Sequence, residues 1–141
     1  MITFVPSKYV DLIYDEIRPL YEKAAKRSLG YSTADDYEYF VYNETHQLWV
    51  ILSKDEDIVA IILTTIEETD NKRVLYIFAL ASIGDGDGAI HEFKEEVLDE
   101  LDNFAVINKC DSIRIEGRRG WKKIFSSSGY KEVAVVLEKD I

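Results

Sequence analysis

The chain has 141 residues, of which 47% are apolar and 12% aromatic, a composition typical of a folded domain and not of a disordered segment. Its 27 acidic and 17 basic residues leave a net charge of −10 at pH 7. This charge repels nucleic-acid phosphates, so we expect no nucleic-acid partner. The single cysteine excludes an internal disulfide and a cysteine-rich metal centre. We expect one domain over residues 1–141, with no metal site.

The sequence also lacks the signals that direct a protein into or across a membrane. Its apolar runs, such as residues 58–63, are far too short to span a bilayer. The first residues do not combine a basic stretch with a following apolar one, as a secretory signal does. We therefore expect no membrane partner and a cytoplasmic location.

Two helical segments are predicted in the first third of the chain. Apolar side chains recur at helical spacing across residues 10–24. Pro19 lies inside this pattern and predicts a kink, or two helices that meet there. Thr33 and Asp36 have the spacing of a capping box, which predicts a further short helix ending near residue 42.

Runs of apolar and β-branched residues predict the strands. Several of these runs are continuously apolar, which favours a sheet covered on both faces. The predicted strands are residues 2–5, 47–53, 58–66, 74–82, 112–116 and 131–139. A long amphipathic helix over residues 89–109 and a short helix over residues 119–127 complete the pattern.

A glycine-rich turn, Gly84-Asp85-Gly86-Asp87-Gly88, joins the strand at 74–82 to the long helix. A strand that feeds such a turn and then a helix N-terminus directs free main-chain N–H groups at one point. Arg118 and Arg119 add positive charge to an otherwise acidic chain. Arg118 is therefore a candidate ligand for a phosphate or carboxylate, although a surface role for the pair remains open.

Five short motifs accompany this order of elements. They are Gln47-Leu48-Trp49-Val50, Ile58-Val59-Ala60, Gly117-Arg118-Arg119-Gly120-Trp121, Gly129-Tyr130 and the Val-Leu-Glu-Lys of residues 136–139. With them, nearly the whole chain resembles the GNAT superfamily of acyl-CoA-dependent N-acyltransferases. It is most similar to the small GNAT-like proteins of tailed bacteriophages. The resemblance implies an α/β (α+β) domain with a mixed, mainly antiparallel sheet of six to seven strands and helices on both faces.

The resemblance also implies acetyl-CoA as the acyl donor. In GNAT enzymes the central strand parts from its neighbour, and its backbone pairs with the pantetheine arm of the cofactor. The glycine turn then holds the phosphates, where a Cβ would keep the backbone away from them. The positions that match are Ala79, Leu80 and Ala81 for the pantetheine arm and Gly84, Gly86, Gly88 and Ala89 for the phosphates.

The chain departs from the GNAT pattern at two places that bear on catalysis. Ile83 stands where the family has a basic or amide residue before the glycines, and the turn itself carries Asp85 and Asp87. Phe125 stands where many GNAT enzymes have a tyrosine that protonates the leaving thiolate, and Arg118 replaces an asparagine seven residues earlier. Without a general acid the rate falls by about 10²–10⁴-fold. No catalytic residue is assigned.

Five titratable residues are candidates for a general base. A surface role is favoured for three carboxylates and a surface or capping role for two histidines: Glu67, Glu68, Glu116, His46 and His91. The sequence thus predicts a phage-type acetyl-CoA-dependent N-acetyltransferase that acts on an amine or a host protein. The alternative is a catalytically silent module that binds a virion or host protein. Self-association into a homodimer is open in either case, and for a phage protein the location is the host cytoplasm or the virion.

Overall fold

In the computed structural model, which describes residues 1–141, five strands form one mixed sheet in the order β1-β2-β3-β4-β5. The first three pairings are antiparallel and the last, between β4 and β5, is parallel. The strands are β1 (Ile2–Val5), β2 (Gln47–Leu52), β3 (Ile58–Glu68), β4 (Arg73–Ser82) and β5 (Ser112–Ile115). The mixed, mainly antiparallel sheet is as predicted.

The prediction of six to seven strands is wrong, because residues 131–139 form no strand. Their composition suits a strand, but strand propensity becomes structure only where an edge is available and the backbone pairs with it. Here the segment after Gly129 pairs with no strand of the sheet. Only side chains connect it to the rest of the protein: Lys122 lies 3.0 Å from Glu132, and the Tyr31 hydroxyl donates to Glu138.

Five α-helices accompany the sheet. They are α1 (Tyr14–Lys26), α2 (Ala34–Tyr42), α3 (Gly88–Glu92), α4 (Lys94–Ile107) and α5 (Arg119–Phe125). A 3₁₀ helix, Ser7–Ile13, precedes α1 and another, Ser126–Ser128, follows α5. No helix of the protein has both the length and the apolar character that a bilayer-spanning segment requires.

The predicted break in the helix at Pro19 does not occur there. The chain changes instead from a 3₁₀ helix to an α-helix between Ile13 and Tyr14, and α1 continues through Pro19 without a break. A proline inside a helix removes the bond to the carbonyl four residues earlier, which here belongs to Asp15. Asp15 is exposed, so water can donate to its carbonyl in place of the missing N–H. The predicted capping box of α2 is confirmed, with Thr33 N donating to Asp36 at 2.8 Å and Asp36 N donating to Thr33 at 3.1 Å.

The two faces of the sheet carry separate hydrophobic cores. One core lies beneath α1 and α2, and its largest buried side chains are Ile17, Tyr21, Tyr37, Leu48, Ile61 and Leu63. The other lies beneath α3, α4 and α5, and includes Trp49, Ile62, Ile77, Leu101, Trp121 and Phe125. Helices therefore cover both faces, as predicted, and β4 is fixed from both sides.

The predicted helix over residues 89–109 is divided at Phe93. The backbone of Phe93 leaves helical geometry, at φ −102° and ψ 20°, and α4 begins at the next residue. α3 is therefore little more than one turn. Since the helix dipole grows with the number of aligned peptides, this short segment contributes little to binding an anion.

A candidate cofactor site at the end of β4

A β-bulge interrupts β4 at Phe78. Leu63 of β3 pairs with Ala79 and the next residue, Thr64, pairs with Ile77. Phe78 is therefore an extra residue that has no pairing partner in β3. A bulge of this kind bends its strand and increases the local twist. The pairing with β5 stops at the same level, because Ile77 opposite Ile115 is its last pair. Beyond the bulge, β4 has lost its neighbour on that side.

The freed edge of β4 offers main-chain groups at alternate residues. Ile83 N donates to Val59 O at 2.9 Å, which establishes that odd-numbered residues after the bulge face β3. Leu80 and Ser82 therefore direct their N–H and C=O groups to the side that β5 has vacated. Of the predicted pantetheine positions Ala79, Leu80 and Ala81, the backbone geometry leaves Leu80 open, and the two alanines pair with β3.

The glycine turn is tied to β4 by side chains rather than by main-chain pairing. The buried Ser82 hydroxyl donates to Gly86 O at 2.9 Å. Lys23 of α1 donates from its ammonium group to Ser82 O at 2.5 Å and also to Gly84 O. Gly84 and Gly86 both adopt φ +73°, a left-handed conformation that a side chain would strain. The turn is thus shaped by two glycines and anchored by two polar side chains.

No main-chain N–H group of residues 84–90 donates a hydrogen bond within the protein. His91 N, which donates to Asp87 O at 3.0 Å, is the first amide after Ile83 that does so. The four predicted phosphate positions, Gly84, Gly86, Gly88 and Ala89, all lie in this stretch. Consecutive free amides in a glycine-rich turn are a common feature of anion sites. The turn thus has the donors that its sequence predicts.

Two arginines converge on the turn through Asp87. Arg118 Nη2 lies 2.7 Å from one oxygen of the Asp87 carboxylate, and Arg27 Nη1 lies 3.2 Å from the other. The Asp87 side chain is only 10% exposed. The structure therefore brings Arg118 to the glycine turn, as predicted, but an internal carboxylate already binds it. Asp85, in contrast, points its charge into solvent.

Lys23 and Arg27 are site residues that sequence reasoning missed. They lie four residues apart near the end of α1, so both can face the same neighbour. Nothing in the sequence links α1 to a turn about 60 residues later. Only the packing of α1 on β3 and β4 places their charges beside residues 82–87.

Solved structures match the chain over almost its whole length. A probable acetyltransferase superposes with a TM-score of 0.73 at 14% identity, covering 100% of this chain and 96% of that chain. A predicted acetyltransferase from Clostridium acetobutylicum, solved with acetyl-CoA, has a TM-score of 0.65 at 15% identity over 99% and 96%. A GNAT family acetyltransferase from Staphylococcus aureus has a TM-score of 0.66 at 11% identity over 100% and 98%. The chain has the GNAT fold. No family model and no curated protein matches its sequence.

Phe125, which occupies the predicted position of a missing proton donor, is buried in the core. Phe125 is 3% exposed, and its ring lies 5.1 Å from that of Tyr130. Tyr130 does not replace the missing acid. Its hydroxyl is buried without a partner, near Asp102 of α4, and burial raises the pKa of Tyr130. Trp121 is buried in the same core, where it packs between α5 and the sheet.

Two of the candidate general bases, Glu67 and Glu68, lie away from the turn. Glu67 and Glu68 end β3 beside the first residues of β4, at the opposite end of that strand from Ser82. Glu68 is 3.0 Å from Arg73. Glu116 is exposed just after β5 and lies 3.8 Å from Arg114. The surface interpretation of these residues agrees with their positions.

An aromatic cluster lies beneath the bulge on the α1–α2 face. The Phe78 ring is 5.9–6.0 Å from the rings of Phe40 and Tyr37 and 4.6 Å from His46. His46 stacks on Phe40 at 4.5 Å, and its Nδ1 lies 3.0 Å from the Thr45 hydroxyl. Burial lowers the pKa of His46 and so favours the neutral form of the ring. His46 is half-buried and packs against the rings of Phe40 and Phe78, whereas the sequence favours a surface or capping role for it.

Proposed function

We propose that this protein is an acetyl-CoA-dependent N-acetyltransferase that acts on an amine of a small molecule or a host protein. The observation that carries the proposal is the opening of the sheet after the Phe78 bulge, followed directly by the unpaired amides of residues 84–90. An extended arm that ends in phosphates requires this sequence of groups: an open strand edge, then anion donors, then cations.

The residues present fit such a cofactor. The main-chain carbonyl of Leu80 and the N–H of Ser82 would pair with amide groups of the pantetheine arm, whereas the Ser82 carbonyl already accepts from Lys23. The amides of residues 84–90 and the guanidinium groups of Arg27 and Arg118 would bind the phosphates. The arginines then exchange the Asp87 carboxylate for a phosphate, so the incoming anion competes with an internal one.

Catalysis in this site depends mainly on positioning. Bound acetyl-CoA supplies a thioester whose carbonyl carbon is open to attack by an amine. The Leu80 N–H is the group beyond the bulge that can donate to the carbonyl oxygen, where negative charge develops in the transition state. Fixing the amine beside the carbonyl removes much of the entropic barrier. Because Phe125 carries no proton, the leaving thiolate takes its proton from water, and we expect turnover to be slow.

A second candidate function is a non-catalytic module that binds a virion or host protein. Two observations favour it: Phe125 occupies the usual place of the proton donor, and Asp87 engages both arginines of the turn. Both functions are compatible with the resemblance of the sequence to small GNAT-like proteins of tailed bacteriophages. We propose the host cytoplasm as the location for the enzyme and the virion as a further location for the module.

Isothermal titration calorimetry with acetyl-CoA tests the proposal. The wild-type chain is compared with Gly86→Glu, which places a carboxylate among the free amides. Asn71→Glu is the matched control, since it adds the same charge in the exposed turn between β3 and β4. We expect micromolar binding by the wild type and the control, and binding at least tenfold weaker by Gly86→Glu.

Transfer is then measured as release of free CoA thiol in the presence of a panel of amines and cell-extract proteins. Binding together with thiol release supports the enzyme. Binding without thiol release for any acceptor favours the module. No binding at millimolar acetyl-CoA overturns the cofactor proposal.

A further inference from the structure

The ring nitrogen Nε2 of His46 is buried without a hydrogen-bond partner. His46 lies between α2 and β2, and its ring stacks on Phe40 at 4.5 Å. Buried polar atoms are rarely left unpaired, because such an atom loses its bond to water without compensation. Stacking on Phe40 accounts for the position of the ring but not for this unpaired nitrogen.

The contacts of the other ring nitrogen determine where the neutral imidazole carries its proton. The Thr45 hydroxyl donates to Phe40 O at 3.0 Å, so its single proton is already used. The Thr45 oxygen also lies 3.0 Å from His46 Nδ1, where it therefore accepts, and the ring proton is on Nδ1. Nε2 then carries a free lone pair. It is a group that can accept a proton and not one that donates.

The surroundings of the ring keep this lone pair available. The side chains that contact the ring are uncharged: Phe40 of α2, Phe78 of β4 and the neighbouring Thr45. Burial alone lowers the pKa of His46, and no neighbouring charge contributes to the shift. The neutral imidazole therefore persists to a lower pH than that of an exposed histidine.

Phe78 connects His46 to the opened end of β4. Its ring lies 4.6 Å from the imidazole, and it is the extra residue of the bulge. Phe78 is 38% exposed, so it borders both the aromatic cluster and solvent. Leu80, whose N–H donates to the thioester carbonyl in the proposed function, is two residues further along the strand, a rise of about 7 Å. An amine that approaches this carbonyl from the α1–α2 face of the sheet comes next to Phe78.

We propose that His46 is the general base of the transfer reaction and that its Nε2 takes a proton from the ammonium group of the acceptor. This inference rests on the proposed N-acetyltransferase function, which otherwise lacks a base. An alkylamine is mostly protonated at pH 7 and then has no lone pair with which to attack a carbonyl. Because Nε2 is covered, the step requires the partly exposed Phe78 ring to move as the acceptor enters.

The protons balance as follows from the groups present. Nε2 removes one proton from the ammonium group, and the freed lone pair forms the C–N bond while the C–S bond of the thioester breaks. The new amide nitrogen loses its surplus proton to water, and the imidazolium of His46 returns its proton to water. The thiolate takes one proton from water, so one proton is released for each amide formed.

The test uses two substitutions that remove the base but preserve different contacts. His46→Asn keeps an N–H donor for Thr45, and His46→Phe keeps a ring that stacks on Phe40. A packing defect differs between these variants, whereas loss of the base is common to both. His91→Gln is the control at the other histidine of the chain, which is exposed on α3. Calorimetry with acetyl-CoA and urea denaturation establish that each variant is folded and binds the cofactor.

Release of CoA thiol is measured from pH 7 to pH 9 with an alkylamine and with a hydrazide, whose weakly basic nitrogen is already unprotonated. We expect both His46 variants to lose about 10²-fold in kcat/KM with the alkylamine at pH 7 and to retain nearly the whole rate with the hydrazide. The wild-type rate with the alkylamine should be almost constant over this range. In the variants it should rise about tenfold with each pH unit, because they depend on the small fraction of free amine.

Three outcomes overturn the assignment of His46 and leave the transferase function standing. They are wild-type rates in both variants, a loss confined to one variant, and an equal loss with the alkylamine and the hydrazide. The last would mean that His46 supports the site without taking a proton. A wild type that binds no acetyl-CoA, or releases no thiol with any amine, contradicts the transferase function itself, and the assignment of His46 fails with it.

Discussion

Arg118 and Asp87 lie 31 residues apart in sequence, yet the guanidinium of one donates to the carboxylate of the other at 2.7 Å. Arg27 approaches the second carboxylate oxygen, so one aspartate pairs with two cations at the end of the opened strand. This carboxylate lies where the proposed function requires a phosphate. The glycine turn is therefore organised around an internal anion.

Replacing Asp87 by asparagine should strengthen the binding of acetyl-CoA. The change frees both arginines for the phosphates and removes one negative charge from the turn, and we expect an affinity about tenfold higher, equivalent to about 1.4 kcal/mol. Calorimetry measures the change. Asp85→Asn is the control, because this substitution removes the same charge from the same turn and Asp85 contacts neither arginine. Weaker binding by Asp87→Asn than by Asp85→Asn would mean that Asp87 holds the arginines in place for the ligand.

The elements that the sequence predicts best are those whose signal is local. The capping box of α2 uses two side chains three residues apart, and it forms as predicted. The five strands of the sheet agree with their predicted positions to within two residues, since each is a run of apolar residues bounded by turn residues. The glycine turn likewise has its signal in five consecutive residues.

The features that the sequence does not predict depend on distant partners. The bulge at Phe78 exists because β3 and β4 pair in two registers. No residue in either strand predicts this change of register. Lys23 reaches the turn because α1 packs across the sheet. Residues 131–139 have strand composition, but whether they pair is decided by an edge and not by their own sequence. The candidate site was thus predictable in its glycines and Arg118, and not in its other charges.

Gly117 and Gly120 belong to the same motif but should respond oppositely to alanine. A Cβ on Gly117 would lie 2.0 Å from Trp121 Cε3, so Gly117→Ala must displace a buried indole ring. We expect a loss of about 1–3 kcal/mol in the free energy of unfolding, measured by urea denaturation. Gly120 lies in α5 with open space around it, and alanine there should stabilise by about 0.5–1 kcal/mol. Equal effects at the two positions would contradict the close approach of Trp121 to Gly117.

Removing the hydroxyl of Tyr21 should stabilise the protein. Tyr21 is completely buried and its hydroxyl has no hydrogen-bond partner, so folding takes that group from water without compensation. We expect Tyr21→Phe to raise the free energy of unfolding by about 1 kcal/mol. Tyr37, whose ring is 6.1 Å away, is the matched control. Its hydroxyl lies beside Ser28 and Ser32, so Tyr37→Phe is expected to be neutral or destabilising. Destabilisation by Tyr21→Phe would indicate an acceptor for its hydroxyl.

His46 should make the protein less stable in mild acid. Burial lowers the pKa of His46 in the folded state below its ordinary value of 6.5, so the unfolded chain binds this proton more readily. The stability linked to His46 is fully present above pH 6.5 and is lost as the pH falls through the lower, folded-state value. Urea denaturation at pH 7.5 and pH 5.5 measures this loss. The wild type should lose more stability between the two than His46→Gln, whose side chain does not titrate. His91→Gln is the control, since His91 is exposed on α3, and it should follow the wild type. If the His46→Gln variant shows the same pH dependence as the wild type, the ring binds its proton equally well in both states, and the stacking on Phe40 stabilises the cation enough to cancel the effect of burial.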